Sequence, residues 1–244
     1  MSTGLAQWWR LPGLALVDPW TAYRGAVQAR RPILALASIG AVVVALGVAT
    51  VPRQVAILNR TLVSLGDAAL DAQREVLRAG VLRLIVVDRL VPSPTLLVAA
   101  ILVLVAAEPV LMLARDQRPG LVAVIGLGLA PLVVQRVGEL AVTYLLGPGA
   151  HLTAGDAIMA PHRFATGPAL FWAGSVTVPE WVELLETRVN LVSVWCAGLW
   201  ALGLHSLDGR SWAPWHLALP ILCLAGAGVL TWAFGPMVIQ IVLR

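Results

Sequence analysis

The chain contains no lysine: all 17 of its basic residues are arginine. That absence removes whole classes of chemistry. A Walker-A phosphate loop needs its lysine. Schiff-base and pyridoxal phosphate enzymes also need one, to bond substrate or cofactor. No GxGxxG run follows a strand pattern, which argues further against a soluble NTPase or dinucleotide enzyme. Charge of either sign is scarce. Only 12% of residues are charged and 59% are hydrophobic, whereas a soluble domain carries about 25% charged residues. The net charge of +4 is spread along the chain. No basic stripe suits nucleic acid, and the arginines read as interface anchors and snorkelling side chains. Cysteine is nearly absent. Cys196 and Cys223 lie in apolar runs, form no CxxC pair and read as small buried hydrophobes. Abundant Ala, Gly, Pro and Arg without Lys suggests a GC-rich bacterial genome.

What fills the chain instead is apolar sequence in five runs: about 33–51, 95–114, 120–146, 189–204 and 216–243. Roughly 20 helical residues cross the ~30 Å hydrocarbon core of a bilayer. In lipid the backbone must satisfy its own hydrogen bonds, so each run should be a helix. The expected fold is therefore all-α: a polytopic membrane bundle of about five transmembrane helices with amphipathic interfacial helices. Residues 1–31 read as an N-terminal interfacial segment. There Trp8, Trp9, Trp20 and Tyr23 should turn inward and Arg10, Arg24, Arg30 and Arg31 outward. The lead is too long and the first run too apolar for a cleaved signal peptide. Residues 32–244 then form one five-helix domain.

Two inserts interrupt that domain. In residues 53–90, Pro52 is expected to end the first span. Val55, Leu58, Leu62, Leu65, Ala69, Ala72, Val76 and Ala79 follow at alternating three and four spacing, the a/d seam of a heptad pattern. Arg60, Asp67, Asp71, Arg74 and Arg78 fall opposite. One helix over 53–80 would be about 40 Å long. Its alanine-rich seam would either pack on its own bundle or membrane surface, or dock a partner subunit. Arg83, Asp88 and Arg89 are placed at the membrane boundary, and Pro92 and Pro94 break the chain before the second span. A short turn at 115–119 makes the second and third spans an antiparallel hairpin. The second insert, 147–188, is apolar and reads as interfacial helical pieces. Glu180, Glu183 and Glu186 share one face there, which should be solvated.

Three ionisable residues fall inside apolar runs: Glu108, Arg136 and Glu139. Each costs at least ~2.5 kcal/mol in mid-membrane and is a functional candidate for that reason. Arg136 and Glu139 can pair at i, i+3, with Gln135 and Tyr144 nearby. Glu108 precedes Pro109 and can reach the interface. The three could form a proton or ion path, or they could be a neutralised structural pair plus an interfacial Glu. No internal repeat of the transporter kind is visible. His151, Asp156 and His162 share a loop and make a metal conceivable, but no HExxH pattern exists. Neither His205 nor His216 faces a second His at an obviously equal depth, so haem ligation is disfavoured. No cofactor or metal is expected. Gly40, Gly47, Gly126, Gly128, Gly198, Gly203, Gly226 and Gly228 read as close-packing positions between helices.

Asp18-Pro19-Trp20 lies before Arg30-Arg31-Pro32 and the first span. The long insert, the tight hairpin and Asn190-Leu-Val-Ser-Val-Trp195 follow, then Gly198, Leu202-Gly203-Leu204, a short loop and a last span. This layout resembles the bacterial branch of the Yip family of five-pass membrane proteins over about residues 18–234. The motifs are diffuse: hydropathy order plus a few residues. The chain departs from the family in its Trp-rich start and apolar 147–188 loop. The resemblance implies a helical bundle without enzymatic activity, a cytoplasmic N-terminus and an external C-terminus. Arginine counts alone, seven on one side and nine on the other, do not orient the chain. Eukaryotic members bind small GTPases in vesicle traffic, and some bacterial members accompany ABC-type export systems. The expected protein is thus a non-enzymatic inner-membrane accessory, assembly or regulatory subunit, with lipid and membrane-complex subunits as partners. The alternatives are a small proton- or ion-coupled transporter using Glu108, Arg136 and Glu139, and an intramembrane enzyme or metal protein built on His151, Asp156 and His162.

Overall fold

The structure, a computed structural model, describes residues 10–28, 33–64, 71–90, 93–112, 118–145 and 190–243. Among these it is all-helical: α1 Leu11–Val17, α2 Pro19–Gln28, α3 Ile33–Ser64, α4 Asp71–Leu90, α5 Pro94–Leu111, α6 Arg118–Gly128, α7 Pro131–Leu145, α8 Leu191–Asp208 and α9 Trp215–Leu243. Five stretches are long and apolar enough to cross a membrane: Leu36–Arg60, Glu75–Leu111, Arg118–Leu145, Leu191–Asp208 and Trp215–Phe234. The third is 72% buried and the last only 22%. The third span is therefore the centre of the bundle, and α9 offers most of its surface to its surroundings. The 147–188 loop, with its three Glu and with His151, Asp156 and His162, lies outside the described residues.

The sequence explains most helix ends. Asp18 accepts the Thr21 amide at 3.2 Å, with Pro19 opening α2 at the position where proline costs no hydrogen bond. The Thr21 hydroxyl and amide beside Asp18 hold its carboxyl below the usual carboxylate range. Asn190 and Ser193 form a reciprocal capping box at the start of α8, and Gly209 closes it at φ +64°. Ser93 caps α5 from the left-handed region, φ 39°. That conformation, set between Pro92 and Pro94, separates α4 from α5.

Two expectations are corrected. First, Pro52 does not end the first helix; α3 runs through it to Ser64. Proline removes one N–H and crowds the carbonyl a turn back, and neighbouring groups serve the backbone there. Thr50 Oγ1 donates to the Gly47 carbonyl at 2.7 Å, and Tyr144 Oη donates to the Ala49 carbonyl at 3.0 Å. These donors serve the carbonyls on either side of Val48, whose own N–H partner Pro52 removes.

Second, the third span is two pieces. Pro131 has no N–H for the Leu127 carbonyl, so the chain tightens: Leu129 N–H bonds to Gly126 and Ala130 N–H to Leu127, each three residues back. The helices of residues 11–28 also pack closely on the bundle. Ala15, Ala22 and Tyr23 are fully buried in the main core, and α2 packs against α6 and α8. Tyr23 Oη donates to the Leu199 carbonyl at 2.8 Å, and burial pushes this phenol well above its usual range. Tyr23 turns inward and Arg24 outward, as the sequence suggests, but the helix they occupy lies along α8.

Side-chain pairings give the course of the chain. Trp200 lies against Gly128 and Gly203 against Val124, so α8 runs antiparallel to α6. The Glu108–Arg118 turn and the α8–α9 loop therefore share one end of the bundle. Gly47 touches the Arg89 carbonyl region and Gly126 the Leu36 backbone. Both are positions where a missing Cβ lets two helices meet. Gly40, Gly198 and Gly228 have open space instead.

Candidate functional site

At the end opposite the α8–α9 loop, α4 and α7 bring four ionised side chains together. Glu139 is the hub. Its Oε2 accepts from Arg89 Nη1 at 2.9 Å and from Arg136 Nη1 at 2.5 Å. Its Oε1 accepts from Gln135 Nε2 at 2.9 Å. Arg89 also pairs with Asp88, and Arg136 Nη2 reaches the Asp88 carbonyl at 3.2 Å. Arg89, Arg136 and Glu139 are all buried. Two guanidinium groups face two carboxylates, so the cluster is neutral. An ion in low dielectric costs several kcal/mol unless paired and hydrogen-bonded, and this arrangement meets both conditions. Thr143 Oγ1 donates to the Glu139 carbonyl at 2.6 Å, which ties the hub residue to the next turn.

The i, i+3 pairing of Arg136 with Glu139 follows from spacing. Arg89 is the residue that sequence reasoning misplaced. It stands beside Asp88 at the end of an amphipathic run, which reads as a boundary; the structure buries it completely. The available signal was the excess of Arg over Asp at 83–89, in a chain whose third apolar run carries a Glu.

Glu108 does not join this cluster. It pairs with Arg118 at 2.7 Å, and both side chains are about half exposed. Residues 118 and 139 are 21 apart, roughly 31 Å along a helix. Glu108 and Glu139 thus sit near opposite ends of the bundle. A path through Glu108, Arg136 and Glu139 is not assembled; the first is an interfacial ion pair and the other two belong to a closed network.

The heptad seam is also rearranged. Leu58 and Leu62 form a satellite core with Ile57, Val81 and Ile85. Residues 58 and 81 could not touch in one continuous helix, where they would be about 35 Å apart. The chain therefore reverses between Ser64 and Asp71, and α3 and α4 form a helical hairpin. Leu58 and Leu62 hold that hairpin together and are closed to a partner. Val55 is half-buried, Val76 is exposed and Ala72 lies within α4. Leu65 and Ala69 lie outside the described residues. The exposed large apolar side chains near the tip of the hairpin are Val63, Val76 and Leu77.

The other end of the bundle holds an aromatic cluster. His205 and His216 stand edge to face with ring centroids 5.2 Å apart, a pairing the sequence analysis did not foresee. Trp20, Trp212 and Trp215 surround them. The rings touch one another directly and leave no gap for a haem between them. Among the described residues, no group of three or more His, Cys, Asp or Glu is placed to hold a metal ion.

Comparison with protein-family models, with curated proteins and with solved structures finds no match. The geometry therefore has to carry the functional reading.

Proposed function

We propose that the protein is a non-enzymatic membrane subunit, of the bacterial Yip-like kind, that assembles with or regulates a larger inner-membrane complex such as an ABC-type exporter. The observation that carries this reading is the α3–α4 hairpin. At 32 residues, α3 exceeds by about 12 the length needed to span a bilayer, and α4 folds back along the excess. The hairpin has its own small core, so its outer face is free to bind. That face carries Val63, Val76 and Leu77 beside Arg60, Glu75 and Arg78. The intramembrane charges, by contrast, are consumed in holding helices together. An N-terminus on the cytoplasmic side belongs to the same proposal.

Replacing Val63 and Val76 with Asp should abolish co-purification of membrane partners in mild detergent. Insertion and folding should be unchanged, because both side chains are more than three-quarters exposed. Unaltered co-purification would remove the hairpin from the interface. Leu58→Asp serves as the structural control and should unfold the hairpin.

A small proton- or ion-coupled carrier is the second reading. Its support is the discontinuous third span beside buried ionised groups, a pairing found in transporters. Purified protein in liposomes should then move protons or ions, and Glu139→Gln should stop the flux. Absence of flux from the native protein sinks this reading.

A further inference from the structure

We infer that the aromatic cluster at the α8–α9 loop is a proton-responsive latch, with His216 as the sensor. His216 is fully buried at the second position of α9. Its Nε2 lies 3.2 Å from Asp208 Oδ2, at the end of α8. Its Nδ1 lies 3.0 Å from the Ala213 amide nitrogen and 2.9 Å from the Ala213 carbonyl oxygen. One ring nitrogen is thus within hydrogen-bond reach of a donor and an acceptor on the same residue.

A single proton decides between them. In the neutral ring, Nε2–H donates to the Asp208 carboxylate and Nδ1 accepts the Ala213 N–H. This is how a side chain in the first turn of a helix reaches back to cap an N–H three residues before it. In the imidazolium both nitrogens are donors. Nδ1–H then turns to the Ala213 carbonyl, the Ala213 N–H loses its acceptor, and Nε2–H forms an ion pair with Asp208. Histidine is the side chain that changes charge between pH 5 and 8.

The surroundings connect this exchange to three segments. Trp215 stacks on His216 at 3.9 Å, and Trp212 lies 5.5 Å away. His205 of α8 is edge-on at 5.2 Å, and its Nδ1 is buried with no hydrogen-bond partner among the described residues. Trp20 of α2 packs on His205 at 5.7 Å. The charged groups at the sensor are Asp208 on α8 and Arg210 in the loop, whose Nε is 3.7 Å from Asp208 Oδ1; on the neighbouring segment Asp18, just before α2, and Arg24, on α2, lie within four residues of Trp20. His216 is the ring seated between a carboxylate and a backbone amide and carbonyl, so the exchange is assigned to it. Uptake therefore loosens the cap of the 209–215 loop while tightening the α8–α9 ion pair.

Tryptophan emission and amide exchange of the purified full chain test this, since a stacked imidazolium quenches indole. Two of ten tryptophans adjoin the sensor, so lowering the pH from 8 to 5 should remove on the order of a tenth to a fifth of the emission. Protection of the Ala213 amide, corrected for intrinsic exchange, should fall over the same range. His216→Gln keeps a capping acceptor but cannot titrate, and should hold both signals at their pH 8 values. His205→Gln should leave both transitions in place. Should His216→Gln fail to fold, Trp215→Phe must remove most of the fluorescence change and retain the exchange change. A native protein without either transition overturns the latch. Transitions that survive in His216→Gln, or vanish in His205→Gln, overturn the choice of sensor.

Discussion

Replacing Glu139 with glutamine should cost about 3–5 kcal/mol, the range for removing one partner of a buried ion pair. The substitution conserves volume, so the loss is electrostatic. Glu139 Oε2 is the shared acceptor of Arg89 and Arg136. Without its charge, Arg89 keeps Asp88, whereas Arg136 retains only the Asp88 carbonyl and a neutral amide. The cluster moves from zero to one net positive charge, and the excess falls on Arg136, which has almost no solvent contact. Thermal unfolding in detergent, followed by size-exclusion chromatography, should show a lower midpoint and a smaller folded fraction. The double variant Arg136→Met, Glu139→Gln restores neutrality through Arg89 and Asp88, and should recover much of the loss. A double variant as unstable as the single one would mean that geometry, and not charge balance, dominates.

This cluster also shows what could be read from one sequence. Five spans, the second-to-third hairpin and the Arg136–Glu139 pair are encoded locally, in hydropathy and in i, i+3 spacing. What could not be read is set by contacts between distant segments. The Val55–Ala79 periodicity is real, but a seam at helical spacing does not say whether the chain continues or doubles back. The reversal before Asp71 makes Leu58 and Leu62 face Val81 and Ile85. Pro52 carries a strong stop signal, yet α3 runs through it, with Thr50 and the sequence-distant Tyr144 donating to carbonyls in the turn before it. Pro131 sits inside a continuous apolar run, so hydropathy conceals the break that it makes. Tyr23 and Trp20 looked interfacial because aromatic rings prefer that depth. The burial of Tyr23 depends on a groove that exists only once α6 and α8 have packed, while Trp20 stays exposed at its rim beside His205. Arg89 is the clearest case, because its partner lies 50 residues away and charge alone placed it at the membrane boundary.

The broken third span leads to the second large effect. Gly128→Ala should cost about 2–4 kcal/mol, combining overpacking with a lost buried hydrogen bond. A Cβ at residue 128 would lie 2.1 Å from Trp200 Cδ1 and 2.3 Å from its Nε1. The indole cannot simply give way. It is fully buried, and its Nε1–H donates to the Ile125 carbonyl at 3.0 Å. That carbonyl needs the bond, because the Leu129 N–H that would serve it in a regular helix goes to Gly126 instead. Trp200 therefore repairs a gap opened by Pro131, and Gly128 is the space that lets it do so. Trp200→Phe alone should lose the hydrogen bond and leave a small void. Combined with Gly128→Ala, the smaller ring should relieve the clash, so the double variant should be more stable than the sum of the singles by about 1–2 kcal/mol. Thermal midpoints of the four proteins close that cycle. Strict additivity would mean that the indole and the glycine do not act as one unit, and that the break at 129–130 is held by the backbone alone.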